Sequence, residues 1–237
     1  MRQMIRLILI CLTVSPLLLA TDYRFAKFDF PDSASTEARG INARGDIVGS
    51  YTDANDVTHG FLLRDGVFSS IDVPGGAVTI GARGINARGD IVGHFLDANS
   101  AGHGYLLQGG QFKQIDYPGA SATFVFGINN AGDLTGSHLD ATGNESGFIL
   151  KDRVLRNVHV PRSLSTAVFG AQDNGRVLVG QLQLQPDGAY RGFVGNKPGD
   201  FQLILFPGAV CTVARWINQR GDIVGIVPQT DNVCRLR

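Results

Sequence analysis

The segment Ala38 to Gly49, ARGINARGDIVG, returns letter for letter from Ala82 to Gly93. A chain that copies itself at a fixed interval builds its fold from stacked copies of one unit, because each copy needs its neighbour to cover its apolar faces. Three looser copies follow. The triplets Gly40-Ile41-Asn42, Gly84-Ile85-Asn86, Gly127-Ile128-Asn129, Gly170-Ala171-Gln172 and Trp216-Ile217-Asn218 fall 43 to 46 residues apart. Each precedes a Gly-Asp-Ile-Val-Gly block or a variant of it, from Gly45–Gly49 in the first unit to Gly221–Gly225 in the last. Pro31, Pro74, Pro118, Pro161 and Pro207 run in step upstream.

A further element, His59-Gly60-Phe61-Leu62-Leu63, recurs as His103-Gly104-Tyr105-Leu106-Leu107, Ser146-Gly147-Phe148-Ile149-Leu150 and Arg191-Gly192-Phe193-Val194. One unit thus holds four short apolar runs separated by Gly, Asn, Asp and Pro clusters, which is the pattern of strands and turns. Past the leader, no window keeps helical spacing. Asn42-Ala43-Arg44-Gly45 predicts a type I turn closed by a glycine of positive φ, making a hairpin of Ala38–Asn42 and Asp46–Tyr51. Ile47 and Val48 are neighbours, so both faces of that sheet are apolar and both must be covered. The expected fold is all-β: a five-bladed β-propeller-like repeat domain of about 44 residues per unit, with a β-solenoid as the alternative. The first unit is expected to start at the run Phe25 to Phe30. The last unit reaches Arg237 where a fifth His-Gly-Phe strand should begin, so the last or first blade is expected to be incomplete. Either residues 232–237 form a degraded last strand, or an open blade edge invites self-association.

Residues 1–20 read as a secretory signal peptide: Arg2 and Arg6, an apolar stretch from Leu7 to Leu19, then Ala20 before the polar Thr21 and Asp22. The apolar stretch is shorter than the roughly 20 residues that cross a bilayer as a helix. Residues 21–237 are then a single domain with no membrane span after signal removal, and the expected location is secreted or periplasmic. The formal charge is zero, with no basic stripe, which argues against nucleic acid as a partner. Cys211 and Cys234 remain in the mature chain and are expected to form one disulfide, pinning the tail to the last blade; two unpaired thiols are the alternative.

Once aligned, the units resemble the HAF-type extracellular repeats, through His59-Gly60-Phe61, the Gly-Ile-Asn triplets and the Gly-Asp-Ile-Val-Gly blocks, over Phe25 to about Val233. The signature differs: Gly60, Gly104, Gly147 and Gly192 stand for its alanine, and Ser146 and Arg191 for its histidine. The resemblance implies an exported, repeat-built β-propeller-like protein and brings no catalytic residue or cofactor.

Candidate chemistry is sparse. Arg44-Gly45-Asp46, Arg88-Gly89-Asp90 and Arg220-Gly221-Asp222 spell an adhesion tripeptide, but Gly and Asp persist where Ala131 replaces Arg, so turn geometry explains the pair and leaves the arginine as a solvated turn residue. The loops at Asp53, Asp97 and Asp140 are oxygen-rich, yet calcium wants six to eight ligands and no distal Glu completes the set. His59 and His103 lack the converging partners of a zinc site. Asp53, His59, Asp97 and His103 are nevertheless the best ligand-binding candidates. Neither a metal nor a cofactor is implied. Glu37 and Glu145 are the only glutamates, and most aspartates occupy repeated columns, whereas a glycosidase needs two carboxylates in different environments. No nucleophile elbow or phosphate-cradling loop is present. The reading is an exported, non-catalytic module binding a glycan or an extracellular protein in shallow pockets repeated between blades. Tyr51, Phe95, Tyr117 and Trp216 are candidate stacking residues there. The alternative is a glycan-cleaving hydrolase on a five-bladed propeller.

Overall fold

In the computed structural model, which describes residues 26–186, 188–195 and 200–227, strands form where the apolar runs lie. The first unit gives β1 (Ser35–Ile41), β2 (Ile47–Thr52), β3 (Thr58–Arg64) and β4 (Val67–Ile71), and the second β5 (Val78–Ile85), β6 (Ile91–Leu96), β7 (Gly102–Gln108) and β8 (Gln111–Ile115). The third gives β9 (Ala122–Ile128), β10 (Leu134–Leu139), β11 (Glu145–Lys151) and β12 (Val154–Val158), and the fourth β13 (Ser165–Ala171), β14 (Leu178–Gln183), β15 (Arg191–Gly195) and β16 (Gln202–Ile204). The fifth contributes β17 (Val213–Ile217) and β18 (Ile223–Ile226).

Each of the first four units is a four-stranded antiparallel sheet in sequence order, and β17 and β18 form a two-stranded sheet. Among the described residues no strand pairs outside its own unit, whereas successive coils of a solenoid pair with one another. Strands β1, β5, β9, β13 and β17 neighbour one another in that order. The architecture is an all-β propeller with four complete blades. Five four-stranded blades were expected; the fifth unit supplies two strands among the described residues.

The phase of the unit also differs from expectation. The run before each proline is the outer strand of the preceding blade, as β4 before Pro74 shows, and not the first strand of its own. Proline lacks an N–H and fixes φ, so the chain leaves the sheet there and re-enters at the next inner strand. Accordingly Ala26–Phe30 forms no strand; Phe30 lies flat on Tyr51, with ring centroids 3.6 Å apart. The leader (residues 1–20), Cys234 and residues 232–237 lie outside the described residues. Cys211 is fully buried and disulfide-bonded. Among the described residues no helix is long and apolar enough to cross a membrane.

The hairpin turn forms as the sequence predicts. Asn42 accepts the Gly45 N–H on its backbone oxygen at 3.0 Å, and its side-chain oxygen accepts the N–H groups of Arg44 and Asp46. Gly45 sits at φ 85°, as Gly89, Gly132, Gly175 and Gly221 do in a similar left-handed range, where a Cβ would clash. The same Asn side chain also reaches across blades, because its amide donates to the equivalent backbone carbonyl of the next unit. Asn42 reaches Asn86 at 3.2 Å, Asn129 reaches Gln172 at 2.9 Å, and Gln172 reaches Asn218 at 3.2 Å. One column of amides therefore stitches the inner turns together.

The apolar core lies in slabs between blades, as two-sided strands require. One slab joins Val48 and Ile71 of the first blade to Ile85, Ile91 and Tyr105 of the second. The next joins Val92 and Ile115 to Val125, Leu134 and Phe148. Beside the turns of the first three units a repeated aspartate is buried and paired with a side chain at the end of the third strand. Asp46 takes Arg64, Asp90 takes Gln108, and Asp133 takes Lys151.

These contacts give stability a sign in acid. Hydrogen bonds from Arg64, outweighing burial and helped by Asn42 and Arg44, hold the Asp46 carboxyl well below the usual range. At Asp90 burial opposes ionisation, but Asn86, Gln108 and Arg88 together still lower its pKa. A carboxyl whose folded pKa is depressed stabilises the fold fully above its unfolded value of about 3.9 and loses that contribution as pH falls further. Chemical denaturation should therefore show stability falling steeply below about pH 4, with a shallower fall for Asp46→Asn. Parallel profiles for the two proteins would refute the assignment.

Candidate functional site

Every inner strand carries an extra residue opposite its hairpin partner just before the triplet, and β5 has a second one at Ile80. In the first unit Ala38 pairs with Gly49 and Gly40 with Val48, leaving Arg39 unpaired between them. The same register shift isolates Arg83, Phe126, Phe169 and Arg215 in turn. A bulge bends its strand and re-aims the extra side chain. Here all five side chains line one chamber of about 290 Å³ on the axis.

The chamber is charged and under-compensated. Arg39 is ion-paired with Glu37, the one carboxylate among the described residues that line the space. Arg215 lies over the Phe169 ring, its guanidinium carbon 4.5 Å from the centroid, within cation–π range. Arg83 Nη2 donates to His94 Nε2 at 3.5 Å. Burial, reinforced by the charges of Arg39 and Arg215, pushes Arg83 down to about 10, and burial followed by Arg39 lowers Arg215 as well. Burial also holds His94 neutral, lowering it to about 3. The Nε atoms of Arg39, Arg83 and Arg215 are all buried without a hydrogen-bond partner.

A larger cavity of about 690 Å³ adjoins this chamber, sharing Ala38, Arg39, Trp216 and Val224 with it. All five triplets contribute to its wall, including Ile41, Ile85, Ile128, Ala171 and Ile217. The Trp216 ring comes within reach of Gly84, so it spans from the fifth unit toward the second. At the rim, Asn130 donates its backbone N–H to Asp173 at 2.8 Å. The cavity wall is thus apolar, with amides around its mouth.

Asp53, His59, Asp97 and His103 line neither cavity. The structure brings them together as two similar clamps, one per unit. His59 Nδ1 lies 2.8 Å from Asp72 and its Nε2 3.6 Å from Asp53; His103 is held likewise between Asp116 and Asp97. The loop aspartates also accept their own backbone: Asp53 takes the N–H groups of Asn55 and Val57, and Asp97 those of Asn99 and Ala101. Bonds from Val57 and Ala101 lower the respective carboxyls, against desolvation. Each set fastens one loop. Among the described residues no group of three or more His, Cys, Asp or Glu side chains is placed to hold a metal ion.

Of the four stacking candidates, Tyr51 is sandwiched by Phe30 and His59, Phe95 is buried, and Tyr117 lies flat on His138 at 3.7 Å. Trp216 alone among them reaches the axis. Both cavities described above lie at the centre, while the slabs between blades are filled by the core. The turn arginines of the first two units are not simply solvated either: Arg88 donates to Asn130 O in the next unit at 2.6 Å, and Arg44 donates to Ala87 O. Asp46 and Asp90 are buried, so the first two tripeptides do not present themselves as adhesion ligands, whereas Arg220-Gly221-Asp222 is exposed, with Arg220 paired to Asp222.

The arginine column had escaped sequence reading. Its signal was available once the units were aligned: after an alanine or valine, and before a glycine in the first four units and Trp216 in the fifth, they read Arg, Arg, Phe, Phe, Arg.

No protein-family model and no curated protein matches the chain. Among solved structures the chain is similar to a mutant of the Aleuria aurantia lectin in complex with Fucalpha1-6GlcNAc, at 11% identity over 81% of this chain and 70% of that one, with a TM-score of 0.49. It is also similar to an A. aurantia lectin described as a six-bladed β-propeller, at 11% identity over 79% and 69% and a TM-score of 0.44. XC5397 from Xanthomonas campestris, a gluconolactonase, is 14% identical over 83% of this chain and 77% of that one, with a TM-score of 0.47. Identities this low carry neither ligand nor activity across to this chain.

Proposed function

We propose that the protein is an exported, non-catalytic binding module that takes one ligand, a glycan or an extended protein segment, at the centre of its ring. The supporting observation is convergence: all five triplets contribute to one cavity of about 690 Å³, a volume typical of ligand sites. Its apolar wall and amide rim suit a ligand with one greasy and one hydroxylated face, and Trp216 offers a ring for stacking. Export rests on the leader sequence of residues 1–20.

Glycoside hydrolysis would need two carboxylates flanking the bond. Among the described residues lining the larger cavity Asp173 is the one acid, and it is occupied by Asn130. Binding is therefore the better reading.

A glycan-array screen followed by calorimetry tests it. The expected stoichiometry is one ligand per chain, with Trp216→Ala weakening binding about tenfold to a hundredfold, the equivalent of roughly 1–3 kcal/mol of lost stacking. Several equivalents per chain, or turnover of the bound sugar, would overturn the reading.

A further inference from the structure

A protein interior does not gather three guanidinium groups around one carboxylate without cost. Each buried charge loses hydration, and like charges raise the penalty. The bulge column does this in the smaller chamber, where among the described residues Arg39, Arg83 and Arg215 share one lining carboxylate, Glu37, which is itself largely exposed and already engaged by Arg39. The remaining partners of Arg83 and Arg215 are a neutral imidazole and a phenyl face. Three Nε–H donors stay buried and unmet. By contrast, the aspartates buried beside the turns are matched: Asp46 has Arg64 and Arg44, and Asp133 has Lys151.

We propose that the chamber formed by Arg39, Arg83 and Arg215 is an oxyanion site, receiving a carboxylate or sulfate group that enters from the adjoining cavity. Guanidinium forks match the planar pairs of oxygens on such groups and bind them with charge-assisted hydrogen bonds. Phe126 and Phe169 complete the wall, and their apolar rings lower the local dielectric, which strengthens the interaction. The anion is either free or an acidic substituent on a sugar. The site therefore goes beyond the binding reading above and stands even if no sugar is bound.

Binding is measured by calorimetry at constant ionic strength, with chloride as the balancing salt. The probes are sodium sulfate, a galacturonate trisaccharide and its uncharged methyl ester, tested on the full mature chain. The expected result is one site per chain for sulfate or the galacturonate, at least tenfold tighter than for the ester, and at least tenfold weaker in Arg83→Met. Arg220→Gln, which alters an exposed arginine outside the chamber, should bind as the unaltered chain does. Sulfate binding without galacturonate binding would identify a free anion as the ligand; the converse would identify an acidic glycan; both support the site.

A second readout separates binding from folding. Removing an under-compensated charge should leave the melting temperature of Arg83→Met in anion-free buffer equal to or above that of the unaltered chain, and abolish any rise on adding sulfate. An Arg83→Met protein that melts well below the unaltered chain would make Arg83 a structural residue and overturn the proposal. So would sulfate and chloride producing the same response at equal ionic strength.

Discussion

Gly136→Ala is expected to unfold the third blade, with a loss of more than about 4 kcal/mol, at the far end of what single substitutions do. A Cβ at Gly136 would overlap the Phe124 carbonyl oxygen on the neighbouring strand and lie 2.7 Å from the Phe148 ring. The ring sits where a side chain would otherwise be, and the carbonyl belongs to the β9–β10 ladder. Neither can move without parting the two strands, and β10 is buried on both faces. The same clash awaits at Gly49, Gly93 and Gly180, so the closing glycine of every complete blade is a packing requirement. Urea denaturation of Gly136→Ala beside the unaltered chain measures the loss. Combining it with Phe148→Ala should not restore folding, because the carbonyl overlap remains. A Gly136→Ala protein within about 1 kcal/mol of the parent, the average for point changes, would show that the strands separate cheaply and would break the packing account.

The second large effect is on the other side of that contact. Phe148 is fully buried, and its slab includes Val92 and Ile115 of the second blade as well as Val125 and Leu134 of its own. Truncating a buried phenylalanine to alanine removes transfer free energy and leaves a cavity, together costing about 3–5 kcal/mol. For a chain of this size that lowers the melting temperature by about 6–20 °C. Because the cavity lies between blades, Phe148→Ala should also loosen the second blade, which hydrogen exchange at β6 and β8 would report as faster opening. Exchange confined to β9–β12 would mean that the slab does not couple the two units.

Both effects rest on columns that were legible in the sequence. The closing glycine, the Asn of the triplet and the aromatic after the His-Gly pair all recur, and recurrence makes geometry readable. The hairpin turn from Asn42 to Gly45 formed as its residue types dictate, since Asn bonds its own backbone and Gly tolerates positive φ. Blade phase was harder. The run ending at each proline looks like a beginning because the proline is conspicuous, whereas the chain in fact stops pairing there. Phe30 shows the consequence: it packs on Tyr51 instead of entering a sheet.

The axial site was hidden for a different reason. Strand pairing in sequence is read as strict alternation, and under alternation Arg39 and Arg83 would share the environment of every second residue. A bulge breaks that parity at a single residue. Nothing in the letters around Arg39 announces the break, since its flanks Ala38 and Gly40 suit an ordinary strand equally well. His59 and Asp53 misdirected attention because their spacing does bring them together, only in the service of a loop.

The bulge residue before each triplet is skipped by the hairpin ladder, so its chemistry can vary while the sheet's register stays the same. A frame that is otherwise nearly rotationally uniform acquires a polarity there: cations project from the first, second and fifth units, aromatic rings from the third and fourth. A guest seated between them has one favoured orientation, which no ring of five equivalent walls would impose.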